Sequence, residues 1–158
     1  MSTTTGLEVV AGLSLVRPQV TDAQGVLRLV AQHAQAAGYV RPSFAGALVD
    51  REVAYPTGLP TPVPVAIPHA DPEHVLRPAL AAVLLDPAVP FGEMGSTDRT
   101  VDVRLAVVLM VTDPAGQTAL LGRLITALRR PDLADLLAGV QDPRALADVV
   151  GGLLADDG

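Results

Sequence analysis

An α/β domain with a small central sheet is the fold class this sequence predicts, and three observations predict it. Residues 79–85 and 103–111 are nearly continuous apolar runs, as strands covered on both faces require. Other segments repeat apolar residues at helical spacing behind capping residues. The two kinds of segment alternate along the chain, the order that packs helices against a sheet. The chain has 158 residues, 49% of them hydrophobic and spread along its whole length, so residues 1–158 are expected to form a single domain, with a core over about 7–154.

Taken in order, residues 13–16 are a short apolar run before Pro18 and read as a first strand. Thr21 is placed as a helix N-cap, because its hydroxyl can accept from an orphan backbone N–H. Val26, Leu27, Val30, Ala31 and Ala34 then repeat at helical spacing, and Gly38 stands where a left-handed C-cap is wanted. A second helix is expected from Pro42 or Ser43 to about Val53, with Phe44, Ala47 and Leu48 on its apolar face and Arg51 and Glu52 at its exit. Residues 55–64 carry four prolines and one glycine, a loop with little freedom. Residues 65–67 are strand-like, and Pro68 ends them directly before His69. Pro72 and Pro78 bracket a single turn. Residues 87–100, between the two long apolar runs, read as a polar, glycine-containing connection. Asp113-Pro114 is a helix start, with Asp as cap and Pro at the first helical position. Leu120, Leu121, Leu124, Ile125 and Leu128 form one face of that helix, expected to end near Arg130. Pro131 opens a short helix to about Ala138, and Asp142-Pro143 opens the last.

Composition removes several functions. The net charge is −6 with no basic run, which argues against a nucleic-acid partner. The chain has no Cys, so disulfides, thiolate metal sites and a cysteine nucleophile are excluded. The MSTTTG start lacks a positive region followed by an apolar stretch, so no secretory signal is expected. The longest aliphatic run, residues 105–111, is far shorter than the roughly 20 residues that cross a bilayer. A cytoplasmic location is expected.

Only three histidines remain as candidate centres, with neither Cys nor Lys beside them. His33 lies inside the first helix, near its apolar stripe, and reads as a surface or boundary residue. His69 follows a buried strand and a proline, at the carboxyl end of a strand where ligand crevices form in α/β sheets. Three readings of it stay open. It can be an ordinary loop histidine. It can join Asp71, Glu73 and His74 in holding a divalent metal, as in a small metal-dependent hydrolase using His69, Asp71 and His74, although Pro72 breaks the helical spacing such ligands prefer. Or its neutral imidazole can accept a phosphoryl group, given in-line positioning and donors for the phosphoryl oxygens. Loop amides, Arg51 and the helix start at Asp113-Pro114 are the candidate donors.

The segments REVAYPTGL (51–59), VAIPHAD (65–71), PEHVLRPALA (72–81), AVPFGEMGS (88–96), VDVRLAVVLMV (101–111) and DPAGQTALLGRLITAL (113–128) resemble the IIA proteins of the fructose–mannitol type of the sugar phosphotransferase system, in particular the galactitol-like branch. The likeness runs from about Leu7 to Leu154. It implies a mixed sheet of about five strands flanked by helices. It implies that His69 is phosphorylated by phospho-HPr and passes the group to a cysteine of a cognate IIB protein, with the membrane IIC component involved only indirectly. Arg51 matches an arginine near the family's active site; the structural alternative for it is an ion pair with Glu52 or another carboxylate. Gln117 stands where mannitol and fructose members carry a second histidine, and the galactitol-like branch shares the glutamine. A glutamine donates a neutral hydrogen bond but supplies no charge. The reading is a cytoplasmic phosphocarrier with His69, Arg51 and Gln117 at its site and no metal or organic cofactor. A protein that uses the phosphorylation of His69 as a regulatory signal is the alternative within the family. Two partners must dock in turn, so an apolar rim is expected, with Phe91 and Met94 as candidates and core packing as the alternative for Phe91. The negative charge suits a basic donor.

Overall fold

The computed structural model describes residues 7–157, and side chains through residue 155. A five-stranded mixed sheet, ordered β1-β4-β5-β3-β2, divides the domain into two apolar layers. The strands are β1 (Leu15–Val16), β2 (Gly58–Leu59), β3 (Val65–Ala66), β4 (Ala79–Gly92) and β5 (Thr100–Met110), and the helices are α1 (Ala23–Ala36), α2 (Phe44–Ala54), α3 (Pro114–Ala127), α4 (Leu133–Ala138) and α5 (Pro143–Asp157). The expected fold class is therefore the one observed.

β4 and β5 pair antiparallel in the centre, from Ala79 opposite Met110 to Leu84 opposite Leu105. Because successive side chains leave a strand on opposite faces, their apolar runs feed two cores at once. Ala81, Val83, Ala106 and Val108 face Val26, Leu27, Phe44 and Leu48 of α1 and α2. Leu80, Ala82, Leu105 and Val107 face Leu120 and Leu124 of α3 and Leu146 and Val150 of α5. Two covered faces account for the continuous apolar lettering of these strands.

Local expectations shift in four places. The first strand is shorter than residues 13–16, because residues 11–13 form a 3-10 turn. The cap of α1 is Asp22 rather than Thr21: its carboxylate accepts from the Gly25 N–H at 2.7 Å. The helix expected to end near Arg130 stops at Ala127. Finally, residues 87–92 are strand rather than loop. After a bulge opposite Arg104, β4 resumes pairing with Val89 opposite Val103 and Phe91 opposite Val101. The sequence here alternates instead of running apolar, so Val89 and Phe91 point inward on either side of the exposed Pro90. Phe91 is thereby core, not docking rim, whereas Met94 stays exposed.

Two glycines bring the proline-rich loop against this strand extension. A Cβ on Gly58 would lie 2.5 Å from the Gly92 carbonyl oxygen, and one on Gly92 would lie 2.8 Å from the Pro56 side chain. Only hydrogen at both positions leaves room for these contacts. The contact fixes Thr57, between Pro56 and Gly58, beneath the segment that carries His69.

Candidate active site

β3 enters the sheet beside β5 in parallel, Val65 opposite Leu105 and Ala66 opposite Ala106. Pro68 cannot donate to a ladder, yet its carbonyl still accepts from Leu109 N–H at 3.0 Å. His69 is thus held alongside β5, at the strand end where the sequence places it. The residue is 7% exposed.

The ring has a defined tautomer. Nδ1 lies 2.9 Å from the Ile67 carbonyl oxygen. A carbonyl only accepts, so Nδ1 carries the proton and Nε2 keeps its lone pair. Burial is the main cause that lowers the His69 pKa from its usual 6.5. The Arg51 charge lowers it further, against the raising effects of the Ile67 carbonyl and Asp71. At neutral pH the ring is a neutral imidazole with one nucleophilic nitrogen.

Arg51, on the last turn of α2, pairs with Asp71 through Nη1 at 3.1 Å, not with Glu52 beside it. Its guanidinium also lies 5.3 Å from the centre of the Tyr55 ring. Its Nε is buried and without a hydrogen-bond partner among the described residues. A buried donor left open costs roughly 1–3 kcal/mol.

Gln117 does come to the site, but by an indirect contact. Its Nε2 donates to the carbonyl of Ala70 at 3.0 Å, tying the first turn of α3 to the residue after His69. The amide donors expected from this helix start are partly occupied. Asp113 accepts from Gly116 N–H at 2.6 Å, and the Gln117 N–H goes to the Asp113 carbonyl. Pro114 has none to give. The cap that starts the helix therefore also takes up donors that a phosphoryl oxygen would need.

The H-x-D-x-x-H string does not assemble a metal site. His74 Nδ1 lies 2.8 Å from the Ser43 hydroxyl, and Asp71 is turned to Arg51. Among the described residues no three His, Asp or Glu side chains group to hold a metal ion. His33 sits in α1 with Nδ1 against the Leu29 carbonyl.

Sequence reasoning missed the pair below the histidine. Glu52 is 7% exposed and accepts twice from Thr57, from its N–H at 2.8 Å and its hydroxyl at 2.9 Å. Thr57 is itself buried. The adjacency of R-E to P-T-G was the available signal. Burial raises the Glu52 pKa from 4.5 to about 7, against the lowering effect of the Thr57 hydrogen bonds. Between those values the folded protein binds more protons than the unfolded chain, so this group's contribution to stability falls as pH rises through the window. Glu52→Gln, which cannot ionise, should gain on wild type by up to about 3 kcal/mol as pH rises from 4.5 to above 7. Urea unfolding of both proteins at several pH values checks this; a difference constant with pH would refute it.

The fold and the site define a class: a small α/β domain with one buried imidazole at a strand end, its outer ring nitrogen free. Residues 11–151 match the family described as "Phosphoenolpyruvate-dependent sugar phosphotransferase system, EIIA 2". The galactitol-specific EIIA components of Escherichia coli strain K12 and of strain O157:H7 are each 31% identical over 134 residues, 84% of this chain and 85% of each of those proteins. The chain belongs to this family and is a IIA component of the sugar phosphotransferase system, a phosphotransferase. The crystal structure of IIA mannitol from Escherichia coli has the same fold, with a TM-score of 0.73 at 20% identity over 91% of this chain and 99% of that one. So does the complex of enzyme IIAMTL and phosphorylated enzyme IIBMTL from Escherichia coli, with a TM-score of 0.72 at 20% identity, over 92% and 99%. Among the described residues, no helix is long and apolar enough to cross a membrane.

Proposed function

We propose that this protein carries a phosphoryl group on Nε2 of His69, taking it from phospho-HPr and giving it to a cysteine of a cognate IIB protein in a galactitol-like cytoplasmic system. The observation that carries this reading is the hydrogen bond from His69 Nδ1 to the Ile67 carbonyl, which leaves Nε2 unprotonated at a strand end. In the first transfer the Nε2 lone pair forms a bond to phosphorus as the bond to the donor breaks. No proton moves, because Nδ1–H stays on Ile67. In the second, a thiolate attacks phosphorus, the N–P bond breaks, and Nε2 recovers its lone pair. Arg51 Nε supplies a donor for a phosphoryl oxygen, and its charge offsets that of the group.

Likeness to galactitol-specific relatives supports transport over signalling. Incubated with phosphoenolpyruvate, enzyme I and HPr, the protein should gain one phosphate that is lost in acid and kept in alkali, as a phosphoramidate is. An acid-stable phosphate would place the group on another side chain and overturn the reading.

Gln117 acts on this reaction through the backbone. Its bond to Ala70 is a neutral one, worth about 0.5–1.5 kcal/mol. Gln117→Ala should slow transfer by about 2- to 13-fold without unfolding the protein. A larger loss in rapid-quench transfer assays would point to direct contact with the phosphoryl group.

A further inference from the structure

The Glu52–Thr57 pair has no part in the reaction derived above, yet it is buried directly against the segment that holds the nucleophile. Thr57 Oγ1 donates to Glu52 Oε1 at 2.9 Å and accepts from the Ile67 N–H at 3.2 Å. The carbonyl of the same Ile67 takes the proton of His69 Nδ1 at 2.9 Å. One residue thus receives support on its N–H and sets the ring through its C=O. Pro68 follows it and restricts Ile67 to extended backbone, so a change at the N–H is passed to the carbonyl with little slack.

β5 does not secure these two groups. Its bond in this stretch, from Leu109 N–H, goes to the carbonyl of Pro68. The Ile67 N–H depends on Thr57. Thr57 in turn is held by both Glu52 oxygens and by the close approach of Gly58 to Gly92. Around Glu52 a cleft of about 210 Å³ is lined by Ala23, Gln24 and Leu27 of α1, Val49 and Val53 of α2, and Gly92, none of them titratable. Gln24, the polar side chain among them, makes no hydrogen bond to the carboxylate, which is held by Thr57.

We infer that Glu52 and Thr57 are positioning residues for His69: acting through the Ile67 peptide, they fix the imidazole in the tautomer that leaves Nε2 free. When ionised, Glu52 accepts at both oxygens, so the Thr57 hydroxyl proton is committed to Glu52 and its lone pair is turned to Ile67. A threonine without that acceptor would be free to rotate. The inference rests on His69 being the phosphoryl acceptor, but it concerns the ring before any phosphate arrives.

The test reads that ring directly. In protein labelled with ¹⁵N-histidine and held without phosphate donor, the two ring-nitrogen shifts of His69 report which nitrogen is protonated. Wild type should show Nδ1–H alone. Thr57→Val, which keeps the shape and removes the hydroxyl, should show a mixture of tautomers and accept phosphate about 10-fold more slowly, the loss of one ordinary hydrogen bond. Thr57→Ser should restore both signals. Glu52→Gln keeps one acceptor oxygen of two and should fall between wild type and Thr57→Val in tautomer purity. The inference is overturned if Thr57→Val folds with the wild-type tautomer, or if Thr57→Ser is as impaired as Thr57→Val. Should Thr57→Val fail to fold, Glu52→Gln with an unchanged tautomer is the overturning result. If the shifts respond as stated while His69→Ala still accepts phosphate, the positioning stands and the carrier reading fails.

Discussion

His69→Ala is expected to accept no phosphate from phospho-HPr, while His33→Ala and His74→Ala accept it nearly as wild type does. The difference follows from what each ring touches. His69 alone combines burial, a protonated Nδ1 fixed on a backbone carbonyl and a charge close enough to lower its pKa. His33 is exposed on α1, and His74 is engaged with the Ser43 hydroxyl. Removing the nucleophile leaves no bond to phosphorus to form, so the effect is a complete loss. Quantifying acid-labile phosphate on each variant checks it. Loss on His74→Ala with retention on His69→Ala would move the site to His74, in the 3-10 turn Pro72–His74.

Arg51→Ala should slow phosphoryl acceptance by roughly 10- to 150-fold, the rate equivalent of about 1.5–3 kcal/mol for one charge-assisted hydrogen bond made in the transition state. Arg51→Lys should recover only part of this, because lysine keeps the charge and loses the planar fork that presents Nε. The ion pair with Asp71 gives the competing explanation, a structural role. That pair is exposed, 37% and 64% at its two side chains, and such pairs contribute about 0–1 kcal/mol. Thermal unfolding of Arg51→Ala should therefore stay close to wild type. A marked loss of stability with an unchanged rate in the folded fraction would assign Arg51 to structure instead.

Much of the site was legible because its signals are local. Asp113 caps α3 and Gly38 takes a positive φ of 84° after α1, as their residue types require within one turn of chain. The I-P-H string put His69 at a strand end through the backbone limits of proline alone. Non-local pairings were not legible. Arg51 takes Asp71, twenty residues away, in place of its neighbour Glu52. The reason is that α2 sends Glu52 inward to Thr57 and leaves Arg51 at the half-exposed edge.

Periodicity, caps and prolines act within a few residues of themselves, and they were enough to specify the central apolar strands, the helices and the candidate nucleophile. The tautomer of His69, the carbonyl that Gln117 reaches and the burial of Glu52 follow from packing. Each depends on where separate segments meet, Gly58 on Gly92 and the start of α3 on Ala70, and no spacing within one segment encodes a distance to another.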